Sequence, residues 1–250
     1  MQQSTRVQGN IVARQERRFL TWACAVMPRA VTSDHLTVFG MVGAAMVCGG
    51  YAASWADPRF LLVAVVGYVM HWFGDSLDGS LARHRRVTRP RYGYFLDHSV
   101  DALAILMMVG GMGLSPYVHM SVALFAVVGY FALCIHVFLK NHVTGTFQLS
   151  FMALGPTELR LVFVAFTLWM YVGGPAFAHL PGSGLLDYDI GMLVVGGVFA
   201  TLFGLNTLGM VLHLRRLEGD GRLPTEAVSP RAPVALSAGE RLGGSGVDLR

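Results

Sequence analysis

The sequence predicts an all-α integral membrane protein with six transmembrane helices preceded by an amphipathic surface helix. Hydrophobic residues make up 54% of the 250 residues, charged residues make up only 14%, and the mean hydropathy is +0.52. A soluble domain of this length has too little interior to bury so much apolar surface, whereas a bilayer requires about 20 apolar residues for each helix that crosses it. The composition therefore excludes an ordinary soluble enzyme. The three cysteines lack CxxC spacing and are expected to be packing residues.

The surface helix comes first in the chain. Residues 14–27 mix arginines with apolar residues, which is typical of a helix lying on a membrane surface rather than of a signal peptide. Six apolar runs follow it. They are Leu36–Trp55, Phe60–Leu81, Phe95–Leu114, Tyr117–Leu139, Leu159–Ala178 and Ile190–Leu214. The chain is thus divided into a cytoplasmic N-terminus with the surface helix (residues 1–30), a membrane domain (31–216) and a disordered tail rich in Gly, Pro and charge (217–250).

The basic residues predict the orientation. All but one of the 19 Arg and Lys residues fall on one side of the predicted spans, and Arg59 is the exception. Since cytoplasmic loops retain Arg and Lys, both termini are expected to face the cytoplasm, in a cytoplasmic (inner) membrane. The formal net charge of +4 follows from this asymmetry and favours anionic membrane lipids. It does not require a nucleic acid partner.

Four aspartates lie at the cytoplasmic ends of the second and third spans. A carboxylate inside an apolar helix costs about 2.5–3.5 kcal/mol, so these residues need partners, water or a metal. Asp75 and Asp78 are three residues apart, and Asp97 and Asp101 are four apart. Residues at these spacings share a helix face, so each helix presents two carboxylates together.

The connection between these two spans brings the four carboxylates together. Residues 84–92 are predicted to form this connection. Pro90 is expected to interrupt the helix, and Gly93 to give a flexible backbone where the chain turns back. A connection this short makes the two helices antiparallel neighbours. Four carboxylates so close would repel strongly or take up protons unless divalent cations neutralise them, and a ligand set made only of oxygens favours two Mg²⁺ or Mn²⁺ ions. An ion-coupled transporter that uses intramembrane carboxylates is the alternative interpretation.

The same residues form a recognisable motif. The chain reads D-S-L-D-G-S-L-A-R over residues 75–83 and, nine residues later, G-Y-F-L-D-H-S-V-D over residues 93–101. This segment resembles the signature of the CDP-alcohol phosphatidyltransferase family, D-x2-D-G-x2-A-R followed by G-x3-D-x3-D, at all eight fixed positions. The resemblance implies a metal-dependent membrane enzyme of phospholipid synthesis, in which the alcohol hydroxyl of a lipid or a small polar acceptor displaces CMP from a CDP-linked donor. A prenyltransferase with aspartate-rich motifs fits less well, because its aspartates do not follow this spacing.

The resemblance also implies roles for the aspartates. The first three family positions hold metal, here Asp75, Asp78 and Asp97. The fourth, Asp101, is a metal ligand or the base that deprotonates the acceptor. As a base it would lie one turn deeper than Asp97, where a lipid alcohol can arrive. The sequence is also compatible with a homodimer.

The remaining motif positions are expected to receive the nucleotide. Gly79 has no side chain on the carboxylate face of the helix and Ala82 has only a methyl group there, so that a nucleotide can approach the backbone. Arg83 can bind diphosphate oxygens with its planar guanidinium. Gly93 is the fixed glycine of the second half of the motif.

Two further features bear on the substrates. The Asp-His-x-x-Asp arrangement around His98, and the Thr157-Glu158 pair, resemble the choline and ethanolamine phosphotransferase branch, in which His98 or Glu158 would replace Asp101 as the base. Alternatively, the arginines of the connection would bind an acceptor phosphate or simply form a solvated cluster. These arginines are Arg85, Arg86, Arg89 and Arg91.

Overall fold

The computed structural model describes residues 11–144, 156–174 and 185–219, and every regular element within these ranges is an α-helix. The helices are α1 (Ile11–Val26), α2 (Ser33–Ala53), α3 (Phe60–His84), α4 (Pro90–Gly113), α5 (Met120–Thr144), α6 (Pro156–Gly173) and α7 (Asp187–Gly219). The predicted all-α class is confirmed. The chain divides into two units, residues 1–207 and 208–250, and α7 passes from the first into the second. The predicted tail lies almost entirely outside the described residues.

Within the described ranges, five helices are long and apolar enough to cross a membrane: α2, α3, α4, α5 and α7 from Tyr188 onward. They account for five of the six predicted spans, and the chain is an integral membrane protein. The apolar part of α6, Leu159–Gly173, is shorter. Its predicted continuation to Ala178 lies outside the described residues, so the count of six remains a prediction.

The connection between α3 and α4 is shorter than the sequence analysis expects. α3 continues to His84 and α4 begins at Pro90, so the expected connection over residues 84–92 is wrong at both ends. Proline is tolerated in a first helical turn, because the N–H that it lacks has no helical acceptor there and its fixed φ suits the helix. Pro90 therefore starts the helix that it was expected to interrupt, and Gly93 lies within the first turn of α4.

Glycines bring the backbones of α2 and α3 into close contact. A Cβ added at Gly43 would lie 2.6 Å from the backbone nitrogen of His71, and one added at Gly74 would lie 2.5 Å from the carbonyl oxygen of Leu36. Only a residue without a side chain permits this approach. The contact fixes the last turns of α3, which carry two of the four aspartates, against the start of α2.

α1 packs one face on α3 and leaves the other exposed, as its amphipathic sequence predicts. The ring of Phe19 stacks on Trp72 with centroids 5.8 Å apart, and Ala23 and Cys24 are buried in a cluster with the end of α3. Trp22, on the other face, is 60% exposed. Burial raises the pKa of the Cys24 thiol above its ordinary value, which keeps the thiol neutral, as expected of a packing residue.

A buried carboxylate, Asp189, joins the starts of α5 and α7. Asp189 is fully buried and accepts hydrogen bonds from the backbone N–H groups of His119 and Leu186, both at 2.8 Å. The Nδ1 atom of His119 lies 2.5 Å from the same carboxylate. Asp189 therefore holds together segments that are distant in the sequence, at the ends of the helices away from the four aspartates.

Candidate active site

The connection that leads from α3 to α4 is anchored by Arg85. Its guanidinium donates to the carbonyl oxygens of Met27 at 3.1 Å and Pro28 at 2.8 Å, and also to that of Val31. These carbonyls belong to the link between α1 and α2. The end of α3 is thereby attached to the link, and the aspartates on α3 are fixed relative to α2.

A second arginine holds the start of α4. Arg89 pairs with Asp34 in the first turn of α2, and its guanidinium lies 4.2 Å from the centroid of the Tyr92 ring. Arg86 adopts a left-handed backbone conformation (φ 57°), which allows the chain to reverse in few residues. Arg85 and Arg89 thus have protein partners. Of the four arginines considered for an acceptor phosphate, Arg86 and Arg91 remain as candidates.

Three of the four predicted carboxylates converge. Each of Asp75, Asp97 and Asp101 offers an oxygen, and these three oxygens lie within 4.8 Å of one another. All three residues are partly buried. The i, i+4 spacing on α4 and the antiparallel arrangement with α3 produce this cluster, as the sequence analysis expects. We refer to Asp75, Asp97 and Asp101 as the carboxylate cluster.

Asp78 differs from the other three aspartates. Its Oδ2 accepts a hydrogen bond from the hydroxyl of Thr37 on α2 at 2.7 Å, and its Oδ1 accepts one from the backbone N–H of Gly79. It is not part of the carboxylate cluster, although both aspartates of α3 lie on one helix face. Its predicted role as a metal ligand therefore depends on the oxygen lone pairs that these donors leave available.

Arg160 of α6 completes the cluster with a positive charge. Its Nη2 lies 2.5 Å from Oδ2 of Asp75, and both side chains are largely buried. This contact was not predicted, because Arg160 was counted only among the basic residues that set the orientation. The cost of a charge near an apolar span, which singled out the aspartates, applies equally to Arg160 and would have indicated that it needs a partner.

The predicted nucleotide-binding residues lie on the same two helices as the cluster, after Asp75 on α3 and one turn before Asp97 on α4. The guanidinium of Arg83 lies over Gly79, since a Cβ added there would be 3.2 Å from Nη1 of Arg83. Arg83 is exposed and also donates to the hydroxyl of Ser80 at 3.1 Å. Ala82 is partly buried, and Gly93 is exposed, with no atom within 4 Å of an added Cβ. The surface at Gly93 is therefore open.

The two alternative bases are placed differently. His98 follows Asp97 on the adjacent face of α4, where its ring lies 4.2 Å from that of Tyr94 and 5.5 Å from that of Phe138. Its Nδ1 lies 2.9 Å from the carbonyl oxygen of Tyr94. If Nδ1 carries the proton and donates it, Nε2 keeps a lone pair. Glu158 belongs to the first turn of α6, and its side chain lies outside the described part of the structure.

The carboxylate cluster fits a divalent cation by its chemistry and its dimensions. Ligands of an octahedral Mg²⁺ ion, bound at about 2.1 Å, are about 3.0 Å apart when adjacent and about 4.2 Å apart when opposite. Oxygens within 4.8 Å of one another reach such positions by side-chain adjustment of an ångström or two. Asp75 can bind Arg160 with one oxygen and a cation with the other. Without a cation, the guanidinium of Arg160 only partly offsets the three carboxylates.

The match to known proteins agrees with this site. Residues 22–203, more than half of the chain, match the family model of CDP-alcohol phosphatidyltransferases. The chain belongs to the CDP-alcohol phosphatidyltransferase family. No curated protein matches the chain itself. The chain is accordingly a membrane-embedded transferase of phospholipid biosynthesis that uses a CDP-alcohol, and its family generally depends on a divalent metal.

Proposed function

We propose that this enzyme transfers a substituted phosphate group from a CDP-linked donor to an alcohol hydroxyl and releases CMP. A bond forms between the acceptor oxygen and the β-phosphorus of the donor, and the bond from that phosphorus to the bridging oxygen breaks. CMP leaves with the electron pair, and the hydroxyl proton passes to a base. The observation that carries the proposal is the convergence of three carboxylate oxygens within 4.8 Å in a member of this family.

Asp75, Asp78, Asp97 and Asp101 would hold two Mg²⁺ or Mn²⁺ ions. When bound, the cations supply charge neutralisation for the diphosphate. Arg83, exposed beside Gly79, binds diphosphate oxygens, and the open surface at Gly93 admits the nucleotide. These groups act mainly by positioning the donor and stabilising charge.

Asp101 receives the proton of the acceptor hydroxyl, through one of its carboxylate oxygens, or completes the cation ligands. It lies one turn further into the apolar part of α4 than Asp97, on the path of an alcohol that arrives within the membrane. His98 and Glu158 are the alternative bases. A variant series separates them, because replacement of the true base lowers kcat and leaves donor binding intact.

The decisive assay offers purified protein two labelled donors separately, CDP-diacylglycerol with small alcohols and CDP-choline or CDP-ethanolamine with diacylglycerol. Transfer of one label to a new lipid, with release of CMP that stops on addition of chelator, is the expected result and fixes the direction of transfer. Metal-independent ion flux without CMP would instead support a carrier. Release of pyrophosphate from an isoprenoid diphosphate would support a prenyltransferase.

We further propose that both termini and the carboxylate cluster face the cytoplasm. The support is the concentration of Arg and Lys in the segments on that side. Val87, 61% exposed in the connection between α3 and α4, offers a test. In a variant without the native cysteines, Val87→Cys should react with an impermeant maleimide in inside-out vesicles and not in intact cells. The reverse labelling would overturn the orientation.

A further inference from the structure

Glu16 connects the surface helix α1 to both α3 and α6. Its Oε1 accepts hydrogen bonds from the indole Nε1 of Trp72 at 3.1 Å and from the hydroxyl of Thr157 at 2.8 Å. Trp72 belongs to α3, and Thr157 lies in the first turn of α6. Hydrogen bonds to a charged acceptor are stronger than neutral ones, so this carboxylate oxygen holds the two helices together.

The contact at Glu16 lies one helical turn from the carboxylate cluster. Trp72 and Asp75 are three residues apart on α3, and Thr157 and Arg160 are three residues apart on α6, so each pair shares a helix face. α3 and α6 are therefore joined twice in succession, through Glu16 and through the 2.5 Å contact between Arg160 and Asp75. Both contacts fix the same turns of α6.

A long side chain benefits from such support. Arginine loses much side-chain entropy when it is held in one geometry, so a fixed backbone favours a single placement of its guanidinium. With Arg160 on Oδ2 of Asp75, the other oxygen of that carboxylate is available to face Asp97 and Asp101. Displacement of the first turn of α6 would disturb this orientation.

We propose that Glu16 is a positioning residue for the transfer reaction: it holds the first turn of α6 on α3, so that Arg160 keeps Asp75 oriented toward the rest of the carboxylate cluster. Glu16 precedes residues 22–203, which match the family, so the family signature assigns it no role. The kinetic consequence rests on the proposed function. The metal-binding consequence does not.

Three variants test the role of Glu16 in steady-state kinetics. Glu16→Ala removes the acceptor of both hydrogen bonds and should lower kcat/KM about tenfold, since small misplacements of a catalytic group are costly. Glu16→Gln keeps an oxygen acceptor and should stay within about twofold of the wild type. Thr21→Ala, an exposed truncation on the same helix, is the matched control and should leave kcat/KM unchanged. An inactive Gln variant or an unaffected Ala variant would overturn the proposal.

A double-mutant cycle with Arg160→Gln tests whether Glu16 acts through Arg160. The double variant Glu16→Ala, Arg160→Gln should be no slower than Arg160→Gln alone, because the second change removes the group that the first one displaces. Thr157→Val, which removes only one of the two hydrogen bonds, should show the same pattern with a smaller effect. Effects that multiply would mean that Glu16 acts independently of Arg160, and the proposal would fail.

Binding of Mn²⁺ alone, followed by electron paramagnetic resonance on detergent-purified protein, separates this proposal from the proposed function. Glu16→Ala and Arg160→Gln should shift the Mn²⁺ dissociation constant in the same direction, and Glu16→Gln should not shift it. If the wild type transfers no CDP-linked group and these shifts are still found, the proposed function fails and the positioning role stands. If the wild type transfers normally, but Glu16→Ala and Arg160→Gln do not shift the Mn²⁺ dissociation constant in the same direction, only the positioning role is rejected. A melting temperature for each variant identifies any loss caused by unfolding, in which case Thr157→Val replaces Glu16→Ala.

Discussion

Among the described residues, the carboxylate of Asp189 and those of the carboxylate cluster have opposite surroundings. Asp189 is fully buried, and backbone and side-chain nitrogens of the protein surround it. Asp75, Asp97 and Asp101 face one another; Arg160 contacts Asp75, and Nδ1 of His98 lies 3.7 Å from Oδ2 of Asp97. Among the described residues, no hydrogen-bond donor contacts Asp101.

The difference in surroundings distinguishes a carboxylate that stabilises the fold from carboxylates that bind a cation. A buried carboxylate with several donors is stable without any ligand, and its removal leaves those donors unpaired. Carboxylates that face each other repel, so such a cluster is unfavourable until a cation occupies it. We therefore expect changes at Asp189 to affect folding and changes in the cluster to affect activity.

The largest expected effect is loss of turnover at the carboxylate cluster. Asp97→Asn and Asp101→Asn each remove a charge that neutralises bound cation, and CMP release should fall about 1,000-fold. The melting temperature should stay the same or rise, because like charges are removed. The measurement is single-turnover CMP release alongside thermal unfolding in detergent. Near-normal turnover in both variants would remove these aspartates from the site.

The reverse behaviour is expected at Asp189. Asp189→Ala leaves the N–H groups of His119 and Leu186 without an acceptor and should lower the free energy of unfolding by about 3 kcal/mol. Turnover per folded molecule at low temperature should be unchanged. Denaturant titration and activity of the same preparation give both values. A variant that is stable but inactive would contradict the distinction between the two carboxylate sites.

A smaller effect is expected from the hydroxyl that holds Asp78. Thr37→Val removes the 2.7 Å hydrogen bond, and the Mg²⁺ concentration for half-maximal activity should rise about tenfold, as is usual when a group that orients a metal ligand is lost. Thr207→Val is the matched control, since the hydroxyl of Thr207 contacts the ring of His136 at 3.0 Å and not an aspartate. It should change stability only. An unchanged Mg²⁺ requirement in Thr37→Val would indicate that Asp78 does not bind the cation.

The smallest effect concerns the open surface at Gly93. Gly93→Ala places a methyl group where no atom lies within 4 Å, and alanine favours a helix, so stability should rise by under about 1 kcal/mol. If the nucleotide approaches this surface, the KM for the CDP-linked donor should increase severalfold. Donor titration of the variant and the wild type measures this. An unchanged KM would place the nucleotide elsewhere.

Much of the site could be predicted because its information is local. The carboxylates of α3 and α4 were found from i, i+3 and i, i+4 spacing and from the cost of charge in an apolar span. Their convergence follows from one short connection. The start of α4 was predicted wrongly because Pro90 was treated as a helix breaker, although proline is favourable in a first turn.

The missed contacts are those between residues distant in the sequence. Arg160 contacts Asp75, Thr37 contacts Asp78, and Glu16 contacts Thr157. Which side chains meet in these pairs depends on helix packing, and single-chain periodicity does not encode that packing. The glycines between α2 and α3 bear on the pair Thr37 and Asp78, whereas the other two pairs depend on how α6 packs. The hydropathy and charge of each helix predict only that its buried charged side chains need some partner.

The glycines between α2 and α3 also restrict how a lipid can reach the aspartates. At Gly43 and Gly74 even a single added carbon would lie within 2.6 Å of the opposite backbone. A hydrocarbon tail is wider than one methyl group, so this seam is closed to acyl chains along that part of its length. A lipid substrate must therefore reach the aspartates from another direction, and a bulky residue at either glycine would push the two helices apart.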